Sequence, residues 1–228
     1  ALGADIEAVR GGIGSDPRIG THFLYAGAGY GGSCFPKDIQ ALAHSAASVG
    51  LPGRLLAAVE AVNAEQKQVL ARKIVATYGE DLNGRSFALW GLAFKPETDD
   101  MRGAPSRVLI AELLRRGARV QAYDPVATQT AIAALTEDLG AAVLNQGVRF
   151  ARSAMDALEG ADALVVVTEW KEFRAPDFEA MSRALRDRRV FDGRNLYEPA
   201  LARHFGLEVQ AIGRGAAATV IKASTGAS

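Results

Sequence analysis

The sequence predicts an α/β protein in which a helical region with one long connecting helix precedes a mainly parallel sheet sandwiched by helices. From residue 83 onward, strand-like apolar runs alternate with amphipathic helical stretches, a pattern typical of right-handed βαβ units. Before that point the apolar residues follow helical spacing, interrupted by one glycine-rich loop. We therefore predict a helical region at 1–82, a Rossmann-like α/β domain at 83–214 and a flexible tail at 215–228, where Ala, Gly, Ser and Thr dominate.

Strand-like runs define the predicted sheet of the second domain. The clearest lies at 163–168, where ALVVVT has the length and the apolar character of a buried parallel strand. The other runs lie at 86–92, 118–123, 142–144, 190–192 and 207–212. Helices are predicted between them at 108–116, 128–139 and 153–158, which completes the alternation.

The first region contains two shorter predicted helices around a loop. Ile6, Val9 and Ile13 share one helix face, and the glycines at 11, 12 and 14 are expected to break that helix. The loop then runs over 15–35. Pro36 suits a first helical position, so the next helix is expected to begin there and to end at Gly50.

A longer helix is predicted at 53–78, where most apolar residues recur every three or four positions. Its length would be roughly 39 Å at the rise of an α-helix. So long a helix in so small a region cannot bury its apolar stripe locally. We therefore predict that it bridges domains or forms a dimer interface, and a simple core helix is the alternative.

Composition and charge exclude several classes of function. The chain has 26 basic and 26 acidic residues, so it offers no electrostatic attraction for nucleic acid or for an anionic membrane surface. No apolar run approaches the roughly 20 residues that a membrane span needs. The single cysteine excludes an intrachain disulfide and indicates a reducing, cytoplasmic setting. Because no methionine precedes Ala1, we expect a fragment of a longer chain.

The most informative stretch is the decapeptide at 29–38, which holds the only cysteine. Small residues precede Cys34 and a helix start follows it, so the helix dipole and Lys37 are expected to lower the pKa of the thiol. Asp38 opposes that effect but is placed to orient or deprotonate a water. A nucleophilic thiol without a histidine base suits attack on an aldehyde better than on an amide. The three histidines are far apart, so no metal-ligand spacing is present.

Residues 27–32 match the G-x-G-x-x-G pattern of dinucleotide-binding loops. That fingerprint needs a strand before it, a helix directly after it and an acidic residue roughly 20 positions on. Here Ser-Cys-Phe-Pro follows, and the region near position 52 is Leu-Pro-Gly within helical sequence. We therefore assign these glycines to a backbone that wraps a ligand beside Cys34.

Ligands of open α/β sheets bind outside the carboxyl ends of the strands. The turn at 90–96 after the first predicted strand carries Lys95 where a dinucleotide fingerprint would carry glycines. Polar residues also follow three other strands, namely Asp124, Thr168, Asp192 and Arg194. Lys95 and Arg194 would suit a phosphate or sugar hydroxyls. The alternative for each of them alone is a solvated loop residue.

Several of these stretches resemble the motifs of the UDP-glucose/GDP-mannose dehydrogenase family. The main ones are GYGGSCFPKD at 29–38 and GLAFKPETDDMR at 91–102, with shorter matches at 18–20, 23–27, 122–125, 168–170 and 191–195. They follow the order of the family and span almost the whole chain. Phe35 before Pro-Lys-Asp resembles the branch that oxidises UDP-glucose, because relatives that act on GDP-mannose usually have leucine there.

The resemblance implies a four-electron oxidation of UDP-glucose to UDP-glucuronate with NAD as the oxidant. Cys34 would add to the C6 aldehyde as a thiohemiacetal, and a second oxidation would leave a thioester that water hydrolyses. Asp38 would assist proton transfer or the attack of water. Lys37 and Arg102 would contact NAD.

The same resemblance implies how the substrate is held. Backbone and packing around the sugar nucleotide would come from Phe23, Leu24, Tyr25, Ala26, Gly27 and Gly31. Lys95 would hydrogen-bond the sugar side, Arg194 would reach the substrate from the second domain, and Arg18 would reach it from the partner subunit of a homodimer. The helix near 53–78 would carry the dimer interface.

The family also has an amino-terminal dinucleotide-binding domain, and its catalytic lysine and asparagine precede the segment that matches residue 1. We therefore expect this chain alone to lack the main NAD-binding domain and not to reduce NAD. Two alternatives stay open. One is a non-catalytic module that binds a nucleotide or only dimerises, and the other is a related dehydrogenase of GDP-mannose or of UDP-N-acetyl sugars.

Overall fold

A six-stranded, wholly parallel sheet organises the computed structural model, which describes residues 3–214. The strands are β1 (Ser86–Trp90), β2 (Arg119–Tyr123), β3 (Val148–Phe150), β4 (Ala163–Val166), β5 (Arg189–Asp192) and β6 (Glu208–Ala211). Their order in the sheet is β3-β2-β1-β4-β5-β6. The direction of strand addition reverses between β1 and β4, which is where nucleotide-binding sheets of this order open a crevice. The predicted α/β fold class is confirmed.

Helices surround this sheet and form the preceding region. They are α1 (Ile6–Gly14), α2 (Cys34–Ser48), α3 (Arg54–Lys67), α4 (Val69–Tyr78), α5 (Pro105–Arg115), α6 (Thr128–Leu139), α7 (Ala141–Gly147), α8 (Ala154–Leu158), α9 (Phe178–Ala184) and α10 (Pro199–His204), with a 3₁₀ helix at Lys171–Phe173. Within residues 3–214, none of the helices has the length and apolar character needed to cross a membrane.

The sheet separates two apolar layers, and strand β1 shows how. Its side chains alternate, so Phe87 and Leu89 pack on the side of α4, α5 and α6, whereas Ala88 and Trp90 pack toward α8 and α9. A strand covered on both faces has no polar positions, which explains the unbroken apolar runs in the sequence. The strand runs predicted at 86–92 and 163–168 therefore lie at the centre of the core.

The prediction of a third strand at 142–144 was wrong. Those residues lie in α7, and Leu144 is buried against the α5–α6 layer. The strand follows directly at Val148–Phe150 and pairs only with β2. An edge strand of three residues that is only partly buried has no long apolar run, so the more apolar stretch just before it was mistaken for the strand.

Two expectations about the helical region also need correction. Helix α1 continues through Gly11 and Gly12 to Gly14, and the side chain of Asp5 caps its start by accepting from the N–H groups of Glu7 and Ala8. The long helix predicted at 53–78 is interrupted at Gln68. Near this break, the guanidinium of Arg72 donates to the carbonyl of Glu65 at 2.9 Å.

The two halves of that segment have different surroundings. Helix α3 contains no buried residue, whereas α4 buries Leu70, Ala71 and Ile74 in the core beside the sheet. The core-helix alternative therefore holds for α4, and only α3 offers an uncovered apolar stripe. The proposed division at 1–82 and 83–214 stays a prediction, and the tail at 215–228 lies outside the described residues.

We predict that Leu89→Ala lowers the free energy of unfolding by about 2–5 kcal/mol, because Leu89 is fully buried in the central strand. Urea unfolding of the chain measures this change. The matched control is Leu201→Ala on α10, where the leucine is half exposed and the expected change is within about 0.5 kcal/mol. Equal stabilities of the two variants would contradict the placement of β1 in the core.

Candidate active site around Cys34

Cys34 is the first residue of helix α2 and is exposed to solvent. The helix therefore begins two residues before the expected Pro36. Ser33 precedes it without a side-chain hydrogen bond to the helix, and its Oγ lies 3.6 Å from Sγ of Cys34. Pro36 occupies the third helical position, where the missing N–H costs nothing because the first N–H groups of a helix have no internal partner. The thiol thus stands at the positive end of α2.

The segment before the thiol, residues 27–34, is called the Cys34 loop here. It packs against the turn at 94–103 that follows β1. The backbone N–H of Gly32 donates to the carbonyl of Arg102 at 2.7 Å. Gly31 lies so close to Gly103 that a Cβ would approach the Gly103 carbonyl oxygen to 2.5 Å. Gly32 has φ +92°, a conformation that favours glycine, and it faces the ring of Phe94. Both the backbone conformation and the ring therefore exclude a side chain at this position.

Helix α3 holds the other side of the Cys34 loop with polar side chains on one face. Asn63 accepts from the N–H of Tyr30 at 2.8 Å and donates to the carbonyl of the same residue at 3.2 Å. Gln66 donates to the carbonyl of Gly27 at 2.6 Å. Lys67 donates to the carbonyl of Gly103 at 2.8 Å, so it reaches past the loop to the 94–103 turn.

A cavity of about 1020 Å³ opens between the Cys34 loop and α3, and it is called the loop cavity here. Five residues predicted to bind substrate line it, namely Phe23, Tyr25, Gly27, Gly31 and Arg194. Phe94 lines it from the 94–103 turn, and Phe35, the neighbour of Cys34, lines it from α2. The structure therefore brings five of the nine predicted substrate residues together around one cavity, and Cys34 itself is not among the residues that line it.

A smaller cavity of about 410 Å³, the side cavity, lies against the same segment. Tyr25, Ala26 and Arg194 line it, so two of these residues border both cavities. Arg10 places its guanidinium 4.6 Å from the centre of the Tyr25 ring. Phe23 is almost fully exposed, at 97%, which leaves its ring available to a ligand or to a covering surface.

Arg194 is held in the loop cavity by the loop after β5. The buried carboxylate of Asp192 accepts from the N–H of Arg194 at 3.0 Å and from the N–H of Tyr197 at 2.9 Å. Burial raises the pKa of Asp192, and these backbone hydrogen bonds act in the opposite direction. The guanidinium of Arg194 pairs with Glu169 and lies against Gly27, where a side chain would collide with it.

Two other polar residues at strand ends have a different role from the one expected. Asp124 is buried, and it accepts from the N–H of Leu92 at 2.7 Å and from the indole N–H of Trp170 at 3.1 Å. The hydroxyl of Thr168 donates to the carbonyl of Ala93 at 2.6 Å. Neither is a solvated loop residue. Both brace the residues that lead into the 94–103 turn.

The remaining predicted residues, among those the structure describes, stand outside the lining of both cavities. Lys95 is exposed, with Nζ 5.4 Å from the centre of the Phe94 ring. Lys37 pairs with Asp38 at 3.6 Å on the surface of α2. Arg18 is exposed and forms a fork with Asp16. Leu24 is half-buried. For these residues the sequence-based roles stay predictions.

Arg102 lies within electrostatic reach of the thiol. Its pKa is raised chiefly by hydrogen bonds to Asp100, and a Cys34 thiolate would add to that shift. The same hydrogen bonds hold the pKa of the Asp100 carboxyl below its usual range. Because Asp100 fixes the guanidinium from both oxygens, Arg102 presents a fixed positive charge at the mouth of the Cys34 loop.

Sequence reasoning missed the polar face of α3, which comprises Glu60, Asn63, Gln66 and Lys67. The signal was present, because these positions follow the same three- and four-residue spacing as the apolar stripe. The prediction of the helix at 53–78 rested on its apolar stripe alone. Within residues 3–214 the structure contains no group of three His, Cys, Asp or Glu side chains able to hold a metal ion.

A parallel sheet in this strand order, with a cavity outside the carboxyl ends of its strands, is the architecture of a Rossmann-type nucleotide-binding protein. Two models of one family match the chain. The UDP-binding domain of the UDP-glucose/GDP-mannose dehydrogenase family matches residues 88–199, and the central domain of that family matches residues 1–65. The chain belongs to the UDP-glucose/GDP-mannose dehydrogenase family, which confirms the resemblance of its motifs.

Individual relatives support the same assignment. The chain is 53% identical over 212 residues to the UDP-glucose 6-dehydrogenase of Pseudomonas aeruginosa, a match that covers 93% of this chain and 46% of that enzyme. It is 41% identical over 213 residues to the UDP-glucose 6-dehydrogenase of Rhizobium meliloti, with the same coverage of 93% and 46%. The chain therefore spans about half the length of these curated relatives.

Solved structures give the same result. The UDP-glucose dehydrogenase from Pyrobaculum islandicum superposes with a TM-score of 0.74 at 33% identity, over 92% of this chain and 43% of that one. The UDP-D-ManNAc dehydrogenase from Pyrococcus horikoshii superposes with a TM-score of 0.71 at 25% identity, over 93% of this chain and 45% of that one.

We predict that Gly31→Ala lowers the free energy of unfolding by about 1–3 kcal/mol, because the new Cβ would meet the backbone of Gly103 rather than a movable side chain. Urea unfolding measures the effect. The matched control is Gly12→Ala, whose Cβ meets nothing within 4 Å on α1 and which should be neutral or stabilising by up to about 1 kcal/mol. A Gly31→Ala variant as stable as the parent would contradict the close docking of the loop.

Proposed function

We propose that the chain is the part of a UDP-glucose 6-dehydrogenase that carries the nucleophilic cysteine and the UDP-sugar site. One observation carries this proposal. The loop cavity is lined by Tyr25 and Gly31 from one part of the chain and by Arg194 from the other, and Phe35, the residue after Cys34, also lines it, which supports a substrate site next to the thiol. The names of the relatives support UDP-glucose as the substrate.

The residues around the thiol fit an anionic dinucleotide cofactor. Lys37 and Arg102 are exposed cations, one a single turn after Cys34 on α2 and the other on the turn that docks against the loop. They would hold the phosphates of NAD, with the main NAD-binding domain expected outside this chain. When bound, NAD supplies the acceptor for the two hydrides that a four-electron oxidation of the sugar C6 removes.

Cys34 accounts for the intermediate stages at C6. Its sulfur forms a bond to the aldehyde carbon, and the carbonyl oxygen takes up a proton to give a thiohemiacetal. After the second oxidation the same sulfur holds C6 as a thioester. Water then attacks that carbon, the carbon–sulfur bond breaks, and the sulfur leaves as thiolate while the carboxylate of UDP-glucuronate remains. Asp38, one turn after Cys34 on α2, would take the proton of the attacking water.

The two cavities account for recognition of the sugar nucleotide. Phe23 and Tyr25 offer aromatic rings to a base, and the backbone around Leu24, Ala26 and Gly27 offers hydrogen-bonding groups. Arg194 stands between the cavities and would pair with the diphosphate. Lys95 would reach the sugar side, and Arg18 of a second subunit would complete the site. A cytoplasmic location would give this chemistry its nucleotide-sugar substrate and keep Cys34 reduced.

We predict that the full chain binds UDP and UDP-glucose in calorimetric titrations and binds GDP more weakly. Arg194→Ala should weaken UDP binding at least tenfold, because a charge-assisted hydrogen bond contributes about 1.5–3 kcal/mol. The control is Arg183→Ala on the exposed surface of α9, which should leave UDP binding unchanged.

The outcomes of this titration separate the alternatives. No heat with either UDP or UDP-glucose would remove the substrate-site assignment and favour a module that only dimerises. Tighter binding of GDP than of UDP would point to a relative that acts on GDP-mannose. Equal losses in Arg183→Ala and Arg194→Ala would place the binding site away from the loop cavity.

We further propose that α3 carries the interface of a homodimer. Leu55 and Val62 on this helix are 78% and 65% exposed, and Leu42 on α2 is 59% exposed. Exposed apolar side chains on one helix face are typical of an interaction site. Leu55 and Val62 also line the loop cavity. Because α3 borders the loop cavity, a second subunit bound to α3 would also bring Arg18 to the ligand.

We predict that light scattering after size exclusion finds twice the chain mass of 24.0 kDa for the parent protein. Leu55→Glu together with Val62→Glu should shift the protein to the monomer mass, because two carboxylates would be buried at the interface. Leu201→Glu on α10, another half-exposed leucine, should leave the dimer intact. A parent chain that is monomeric at tens of micromolar would overturn the dimer proposal.

A further inference from the structure

The polar face of α3 contacts more separate segments than a solvated helix face would. Glu60 accepts from the hydroxyl of Tyr30 at 3.0 Å and from the side chain of Gln40 on α2 at 3.2 Å. Asn63, Gln66 and Lys67 bond the loop and the turn, as described above. Four polar side chains over about two helical turns therefore join the Cys34 loop, the helix that Cys34 begins and the 94–103 turn.

Asn63 is the central member of this face. Its amide pairs with both the N–H and the carbonyl of Tyr30, as a neighbouring strand would. With its backbone fixed in this way, Tyr30 packs edge-on against Phe35 at 4.8 Å between ring centres. Phe35 follows Cys34 directly, so Asn63 fixes the thiol from the side of the loop cavity through two aromatic rings.

Lys67 acts from the other end of the same face. It is half-buried, and burial lowers the pKa of its amine while nearby Glu60 acts in the opposite direction. Its ammonium group donates a charge-assisted hydrogen bond to the carbonyl of Gly103. Gly103 lies against Gly31, so Lys67 holds together the two backbones on whose contact the Cys34 loop depends.

A purely structural role explains these contacts less well. Helix α3 contributes no buried residue to the core, and among residues 3–214 its polar face bonds only the loop, α2 and the turn. Removing one of its side chains therefore deletes no core packing. The expected consequence is a local release of the loop rather than loss of the fold.

We propose that Asn63 and Lys67 are positioning residues, which set the place of the Cys34 thiol relative to the loop cavity by clamping the loop between α3 and the 94–103 turn. The proposal rests on the proposed function, because it assigns the clamp to the substrate site. It assigns neither residue to contact with substrate or cofactor. Its effect is transmitted through Tyr30 and Gly103.

Hydrogen exchange of the full chain tests the clamp without any ligand. In Asn63→Ala and in Lys67→Met, the segment 27–35 should exchange at least tenfold faster, because each change removes hydrogen bonds that hold the loop closed. The strand at 86–90 should keep its parental exchange rate. Lys67→Arg restores a donor and should return the loop toward parental exchange. Glu65→Ala, an exposed residue of the same helix, is the matched control and should change neither segment.

Protection of Cys34 from iodoacetamide by UDP-glucose supplies the second readout, because Cys34 is the only thiol. In Asn63→Ala and Lys67→Met, saturating UDP-glucose should protect the thiol at least fivefold less than in the parent. Lys67→Arg should recover the protection, and Glu65→Ala should retain it. A side chain with only a structural role would leave protection by bound ligand unchanged.

The results distinguish failure of the clamp from failure of the proposed function. Loop exchange and protection equal to the parent in both variants would overturn the positioning role. Faster exchange of both segments together would also overturn it, because it would indicate loss of the whole fold. If UDP-glucose does not protect the parent chain, the proposed function fails, and the exchange experiment still decides whether α3 clamps the loop.

Discussion

The contact between two backbone segments, Gly31–Gly32 and Arg102–Gly103, is the constraint on which the rest of the site depends. One hydrogen bond, from Gly32 to Arg102 at 2.7 Å, joins them, and neither glycine of the loop has room for a side chain. Such a contact cannot be made tighter or looser by rotamer changes, because it involves no rotamers. Its consequence is a fixed offset between Cys34, two residues on, and the strands of the sheet.

Buried or half-buried polar groups form hydrogen bonds that hold both segments of this contact in place. On the sheet side, Asp124 and Thr168 hold the start of the 94–103 turn through backbone groups of Leu92 and Ala93. On the helical side, the face of α3 with Asn63 and Lys67 holds the loop and reaches the turn itself. Buried polar groups are costly unless fully paired, so each brace has one stable arrangement rather than many. This explains how a loop of glycines can present a thiol in a defined place.

The sequence predicted the parts of this arrangement that depend on local pattern, and it failed where tertiary contacts decide. The runs at 86–92 and 163–168 are buried on both faces, so their apolar pattern was unambiguous. The strand at 148–150 lies at the edge of the sheet, and the helix break at Gln68 separates the exposed α3 from the buried α4. Neither feature leaves a local signature in the sequence. The motif around Cys34 indicated the chemistry. The docking of that motif on Gly103, over seventy positions along the chain, could not be predicted from local spacing.

The ion pair between Arg194 and Glu169 shows how the site could favour a diphosphate over a single negative charge. Both side chains are largely shielded from water. Separating them leaves the Glu169 carboxylate without its partner, and a ligand must offset the free energy lost with that ion pair. A ligand with one negative charge would at best replace the carboxylate that it displaces. A diphosphate offers two anionic groups and several acceptor oxygens to a guanidinium that borders both cavities, so it can engage the donors that Glu169 leaves unused. Under the proposed function, the ion pair with Glu169 would therefore hold Arg194 in place and favour a diphosphate over a ligand with one negative charge.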